Sequence, residues 1–393
     1  MNAKQKIAKT IVDLSSDMAK INRAIFDKPE LCYEEVFAAQ LTADYLESNG
    51  FTITKPFAGL KTAFLARHKG KGKGPNIALI AEYDALPQIG HACGHSMIAA
   101  TACGAAVAIA KTFPEHPGSL LVIGTPAEEG GGGKIKMIDK GVFKNVDAAI
   151  MVHPSNKTRV IARMYAIHDM EVTFTGRSAH AAAFPDQGIN ALDAGVLFYN
   201  AVSALRQQIR GEARIHGIFT HGGDAPNIIP EKVIMRFFVR ALDALYFREL
   251  VGKVKECARG AAKSTGCKVK FKKIGYEYEP FYPSHPIGYA FRKNMSMAGI
   301  EEENFGEAEE IGSSDIGNLS QIIPTLHPEY AIGDRGDINH SRNFLKAVMS
   351  KKGEKMMLGM TQAMAMTVYD LLSDPKLLAS AKKEFKNQKQ ALA

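Results

Sequence analysis

The sequence predicts an α/β chain: a largely parallel sheet flanked by helices, interrupted by an α+β module. Three observations predict it. Short, continuous apolar runs at Asn76–Ala81, Ser119–Gly124 and Asp147–Val152 alternate with loops and helical stretches, as expected of parallel strands buried on both faces. Between Met170 and Glu279 the pattern changes to strand, helix, strand, strand, helix, strand. After Pro283 the α/β character returns, so the middle segment is an insertion into one larger unit.

The elements follow in order. Apolar residues spaced by three and four predict helices over 3–28 and 34–49. The basic, glycine-rich run Arg67–Lys73 reads as a solvated hairpin loop ahead of the strand at Asn76. The small-residue run Ala99–Ala110 reads as a tightly packed helix, and a further helix follows the glycines at 130–133, from about Lys134 to Lys140. The inserted module reads as strand 170–176, helix 190–210, strands 214–221 and 232–241, helix 244–264 and strand 268–278, the βαββαβ order of the ferredoxin-like unit. Helices near 286–298 and 354–373 flank the stretch Gly312-Ser-Ser-Asp315, and Asp337–Ser341 opens a short helix with Ser341 as its cap. The lysine-rich C-terminal tail is expected to fray. The expected organisation is 1–168 with 284–393 as one α/β domain and 169–283 as the inserted domain.

Composition narrows the function classes. A chain of 393 residues with 46% hydrophobic and 23% charged residues is an ordinary globular protein, too long for one simple core. The net charge is +8, but lysine and arginine are scattered and no aromatic residues interleave the densest basic run, so no nucleic-acid partner is expected. No apolar stretch is long enough for a transmembrane helix, and the N-terminus reads as an amphipathic helix and not a signal peptide, so no membrane partner is expected. The odd count of five cysteines forms no disulfide framework, which suggests reduced thiols and a cytoplasmic protein.

The chemistry concentrates in Gly90-His-Ala-Cys-Gly-His95. Two imidazoles and a thiol within a few residues, in a loop that enters a helix, form a donor set suited to zinc and other divalent metals. The alternative is a turn with a buried cysteine and two ordinary histidines. Three apolar strands also deliver polar groups just past their C-terminal ends: Asp84, then Glu128 with Glu129, then His153. Ligands of open α/β sheets lie outside those ends, so a shared edge would gather these residues in one crevice with Cys93 and His95. Singly, each has a plainer explanation: a solvated turn for the glutamates, a backbone-bonded core histidine for His153, a capping-loop residue for His340. Likewise His180 reads as a surface residue, Asn227 as a turn-former and Arg240 as an ion pair with Asp243, if spacing alone is considered.

Read together, several segments resemble the superfamily of metal-dependent amidohydrolases and exopeptidases that contains aminoacylase and carboxypeptidase G. They are Tyr83-Asp-Ala-Leu-Pro87, His91-Ala-Cys-Gly-His95, Pro126-Ala-Glu-Glu-Gly130, His153-Pro, Gly176-Arg-Ser-Ala-His180, Pro226-Asn-Ile-Ile-Pro230, Gly312-Ser-Ser-Asp315 and Asn339-His-Ser. Within that superfamily they are most similar to the branch of indole-acetyl-amino-acid hydrolases, p-aminobenzoyl-glutamate hydrolase and β-alanyl-dipeptidase-like enzymes. The resemblance implies that Cys93, His95, Glu129, His153 and His340 ligate two divalent metal ions per subunit, zinc or manganese, with cobalt or nickel as further options. It implies Glu128 as general base, Asp84 as the residue orienting a ligand, and His180 as an oxyanion donor from the inserted domain, in its own or a partner's site. Asn227 and Arg240 would hold the substrate's carboxylate end. Ser96 stands where those relatives often carry Asp or Asn.

The expected activity is metal-dependent hydrolysis of the amide bond of an N-acyl or N-aminoacyl amino acid by an enzyme that dimerises through its inserted domain. An alternative is p-aminobenzoyl-glutamate hydrolase or β-alanyl dipeptidase activity. A further one is a catalytically idle, metal-stabilised dimeric binding protein, against which an intact Glu128 argues.

Overall fold

The computed structural model describes residues 1–303 and 311–392. The helices are α1 (Ala3–Asp13), α2 (Ser15–Asp27), α3 (Val36–Ser48), α4 (His95–Thr112), α5 (Gly133–Asp139), α6 (Ala191–Leu205), α7 (Ala244–Thr265), α8 (His285–Met297), α9 (Ile316–Ser320), α10 (Arg342–Val348), α11 (Lys351–Ser373) and α12 (Pro375–Leu392). The strands are β1 (Thr52–Thr54), β2 (Phe64–Lys69), β3 (Asn76–Glu82), β4 (Ser119–Thr125), β5 (Ala148–Ile150), β6 (His153–Ser155), β7 (Ala166–Thr175), β8 (Arg214–His221), β9 (Lys232–Ala241), β10 (Lys268–Lys273), β11 (Thr325–Leu326) and β12 (Glu329–Ala331).

A six-stranded sheet in the order β1-β2-β4-β3-β5-β11 forms the larger body. Its β4-β3-β5-β11 half is parallel, whereas β1 and β2 add antiparallel strands at one side. Every residue of β4 is buried, as are all of β3 beyond Asn76, so these strands need no polar face and read as continuous apolar runs. Helix α4 lies against the sheet and is buried from His95 to Ala110. Its alanines and glycine let neighbours approach: a Cβ at Gly104 would stand 2.5 Å from the Met18 sulfur of α2.

The second sheet, β10-β7-β9-β8, is antiparallel throughout. Along β7 and β9 buried and less buried residues alternate, so one face is covered by α6 and α7 and the other is left open. Phe174, Phe198, Phe237 and Leu250 belong to a core cluster separate from that around α4 and α11.

Several boundaries differ from the sequence reading. Leu14 divides the first helical stretch into α1 and α2. The run 147–152 is not one strand: β5 stops at Ile150, and His153 opens β6, which pairs in parallel with β12 in a small sheet of its own. The basic loop after β2 is no hairpin, because β4 lies between β2 and β3; the Gly70 and Lys71 amides donate instead to the Gly118 and His116 carbonyls. The last strand of the module ends at Lys273, and the C-terminal tail is the helix α12 instead of a frayed end, with Lys382 bonded to Asp147.

Candidate metal centre and active site

The carboxyl ends of β3, β4 and β5 converge, as the apolar runs imply. Past β3, Asp84 is buried and meets the His95 Nδ1 with Oδ1 at 3.0 Å, while its Oδ2 accepts the Glu129 amide at 2.9 Å. Its own carbonyl lies 2.9 Å from the same imidazole nitrogen. Nδ1 is thereby occupied, and Nε2 of His95 is aimed at the crevice. His153 is set likewise: its Nδ1 lies 2.7 Å from the Pro154 carbonyl and its Nε2 lies 3.6 Å from the Cys93 sulfur.

The backbone bends to deliver these groups. Gly94 holds φ of 84° immediately before α4, and a Cβ there would stand 2.4 Å from Pro154. Ala127 holds φ of 60° just ahead of Glu128, and Glu35 accepts its amide at 2.9 Å. His340 holds φ of 68°, its amide donating to the Ala92 carbonyl at 2.8 Å. Two non-glycine residues in left-handed conformations beside the crevice are strained positions that surrounding bonds enforce. Ser341 then caps α10, accepting the Phe344 amide as expected.

Three overlapping donor groups result: Cys93–His95–His153, Cys93–Glu129–His340 and His95–Glu128–Glu129, each with its ligand atoms within 4.8 Å of one another. Two of these atoms, His95 Nε2 and Glu129 Oε1, are buried without a hydrogen-bond partner among the described residues. Orphaned buried donors and acceptors are costly, and a cation would satisfy both. The chemistry of the set, imidazole, carboxylate and one thiol, fits a borderline divalent metal. Burial, reinforced by the neighbouring Glu82 and Glu129 carboxylates, pushes the Glu128 carboxyl up from its ordinary range. Asp84 goes the other way, to about 2: burial opposes its charge, but the His95 imidazole outweighs it.

A pocket of about 640 Å³ opens over this centre, lined by Cys93, Glu128, Glu129, His153 and His340 together with Met164, Ile167, Tyr278 and Ser313. Arg240 also lines it and donates from Nη1 to the Ser313 hydroxyl at 3.0 Å. The alternative pairing of Arg240 with Asp243 does not form; Asp243 caps α7 through the Tyr246 amide and stands 3.9 Å from Arg210. His180 and Asn227 are exposed and line no part of this pocket. They sit together at one end of the second sheet, where the Asn227 carbonyl accepts the Ala181 amide at 3.0 Å and His180 bridges to Ile228.

Spacing did not reveal a buried charge triad beneath the centre. Lys134 is fully buried, bonded to Glu82 and, at 2.6 Å, to Asp315 Oδ1, and its amide donates to Asp315 Oδ2. Each partner looks ordinary along the chain; a lysine just after a glycine run and an acidic residue at a strand end were the only signals.

The profile of Peptidase family M20/M25/M40 matches residues 78–351. The chain belongs to the M20 peptidase family. It is 37% identical to the Xaa-Arg dipeptidase of Mus musculus, over 98% of this chain and 92% of that protein. It is 34% identical to a component of the p-aminobenzoyl-glutamate hydrolase of Escherichia coli, over 77% of this chain and 65% of that protein. A dinuclear metal-binding M20 peptidase from Bacillus subtilis superposes with a TM-score of 0.72 at 21% identity, covering 91% of this chain and 98% of that one. The M20 family is metal-dependent, and this member is an enzyme, a hydrolase of amide bonds in N-acyl or N-aminoacyl amino acids. No helix among the described residues is long and apolar enough to cross a membrane.

Proposed function

We propose that the chain is a dipeptidase using two divalent ions, zinc or manganese, held by Cys93, His95, Glu129, His153 and His340, with Glu128 as general base. The observation that carries this reading is the pair of donor groups sharing Cys93, beside a carboxylate that neither needs as a ligand. Two such cations, when bound, would supply Lewis acidity to the scissile carbonyl and make an attacking water more acidic. Glu128 takes the proton from that water and returns it to the departing nitrogen, a role its raised proton affinity suits. Asp84 fixes His95, and the Tyr278 hydroxyl holds the Glu128 carbonyl at 3.2 Å. Arg240 grips the α-carboxylate of the released amino acid, because a guanidinium can bind a carboxylate through two parallel bonds. By analogy with the mouse relative's name, a dipeptide with a basic C-terminal residue is the substrate class.

The segment 169–283 acts as a lid and dimerisation domain on the body formed by 1–168 and 284–393. Its β8 is an edge strand carrying exposed Ile218 and Phe219, and Tyr199 of α6 stacks on Phe219 beside exposed Val196 and Leu197. A second copy of the chain covers this face, and brings its His180 and Asn227 to the oxyanion and carboxylate of the first copy's substrate. Five free cysteines suit a cytoplasmic location. The test is a panel of Xaa-Arg, β-alanyl, N-acetyl, N-benzoyl and p-aminobenzoyl amino acids, assayed after chelation and again with zinc, manganese or cobalt restored. Dipeptide hydrolysis that disappears on chelation and returns with metal is expected. A preference for p-aminobenzoyl-glutamate, or turnover surviving thorough metal removal, would overturn the reading.

A further inference from the structure

The parallel half of the large sheet has a fourth strand end. β11 pairs with β5, Thr325 with Ala149 and Leu326 with Ile150, so the residue after Leu326 emerges at the same carboxyl edge as Asp84, Glu128 and His153. That residue is His327. It is 2% exposed, and neither ring nitrogen has a hydrogen-bond partner among the described residues. Its ring lies against His153, centroids 5.4 Å apart, and against Phe281 at 5.9 Å, and it lines the pocket over the metal centre. None of the donor groups within 4.8 Å of one another includes it.

A buried imidazole with both nitrogens unanswered is costly unless something else answers them. The donor groups leave it out, so a metal ion is a poor candidate. Arg240 lines the same pocket and already offers a guanidinium suited to a carboxylate. What remains is a polar atom of the pocket's occupant other than its carboxylate. We propose that His327 is a specificity-determining residue, its imidazole hydrogen-bonding a polar group of the substrate, other than its carboxylate, beside the scissile amide. A pocket built this way rejects substrates that lack the matching group, because they leave the imidazole unpaired.

The inference rests on this pocket being the substrate site, and the test separates the two. A non-hydrolysable phosphinic dipeptide analogue is titrated into the metal-loaded protein and into His327→Phe, with bound metal measured in both. The variant is expected to keep its full metal content while binding the analogue about 10- to 100-fold more weakly, with a similar loss in kcat/KM. In the companion variant His327→Ala, free imidazole is expected to restore binding. Wild-type affinity in the Phe variant, a loss that tracks missing metal, or no rescue of the Ala variant by imidazole overturns the role of His327. Failure of the wild-type protein to bind the analogue overturns the pocket assignment itself.

Discussion

The two sheets of this molecule are built on opposite terms with water. In the six-stranded sheet, β3 and β4 are buried on both faces, and what emerges at their carboxyl ends is a crowded set of ionisable groups beneath one pocket. In the four-stranded sheet, burial alternates residue by residue, one face stays open, and the two edges are treated differently. β10 is studded with Lys268, Lys270, Lys272 and Lys273, which discourage another strand from pairing there. β8 instead presents Ile218, 63% exposed, and Phe219. Ionisable groups gather where both faces are closed, and exposed apolar side chains lie where a face and an edge are left.

The sharpest way to probe the first sheet is Glu128→Ala. Turnover should fall by about 10²–10⁴-fold, with metal content and oligomeric mass unchanged. Steady-state kinetics alongside elemental analysis checks this, and near-normal turnover would remove Glu128 from its role. Lys134→Met should act on stability instead, leaving Glu82 and Asp315 as buried carboxylates without their cation. Breaking such a set costs about 3–5 kcal/mol, read as a lower urea midpoint. A midpoint equal to wild type would mean that the carboxylates find another partner. The mildest change concerns the second sheet. Ile218→Lys should leave each chain folded with its metal bound, but light scattering should report a species near 42.7 kDa, the mass of one chain. If the mass does not change between wild type and variant, β8 is not the interface.

Much of the first sheet was legible along the chain because strands with no polar face produce unbroken apolar runs, and 76–81 and 119–124 stand out as such. The module was legible for the opposite reason, since its alternation over β8 and β9 gave boundaries that coincide with the observed strands. The gathering of Cys93, His95, Glu129 and His153 followed from their places in the loop entering a helix and just past strand ends. What stayed hidden depends on neighbours remote in sequence. β11 is two residues long, too short for any periodicity, so His327 could not be seen as a strand-end group. Lys134 looks like a solvent-exposed helix residue until Glu82 and Asp315 close over it. The break between β5 and β6 exists because His153 pairs with Glu329, far along the chain. The hairpin expected after β2 failed because a later strand, β4, took the neighbouring place.

The short stretch from Gly312 to Asp315 bears on how such an enzyme can change over time. The Ser313 hydroxyl receives Arg240 from the second sheet, while Asp315, two positions on, receives the buried Lys134 beneath the first. Insertion or deletion of a single residue there would displace the arginine's partner and the lysine's partner in one stroke. Lineages exploring new substrates through this segment therefore have to do so by swapping side chains at fixed length, since altering its length would cost the protein its foundation along with its grip.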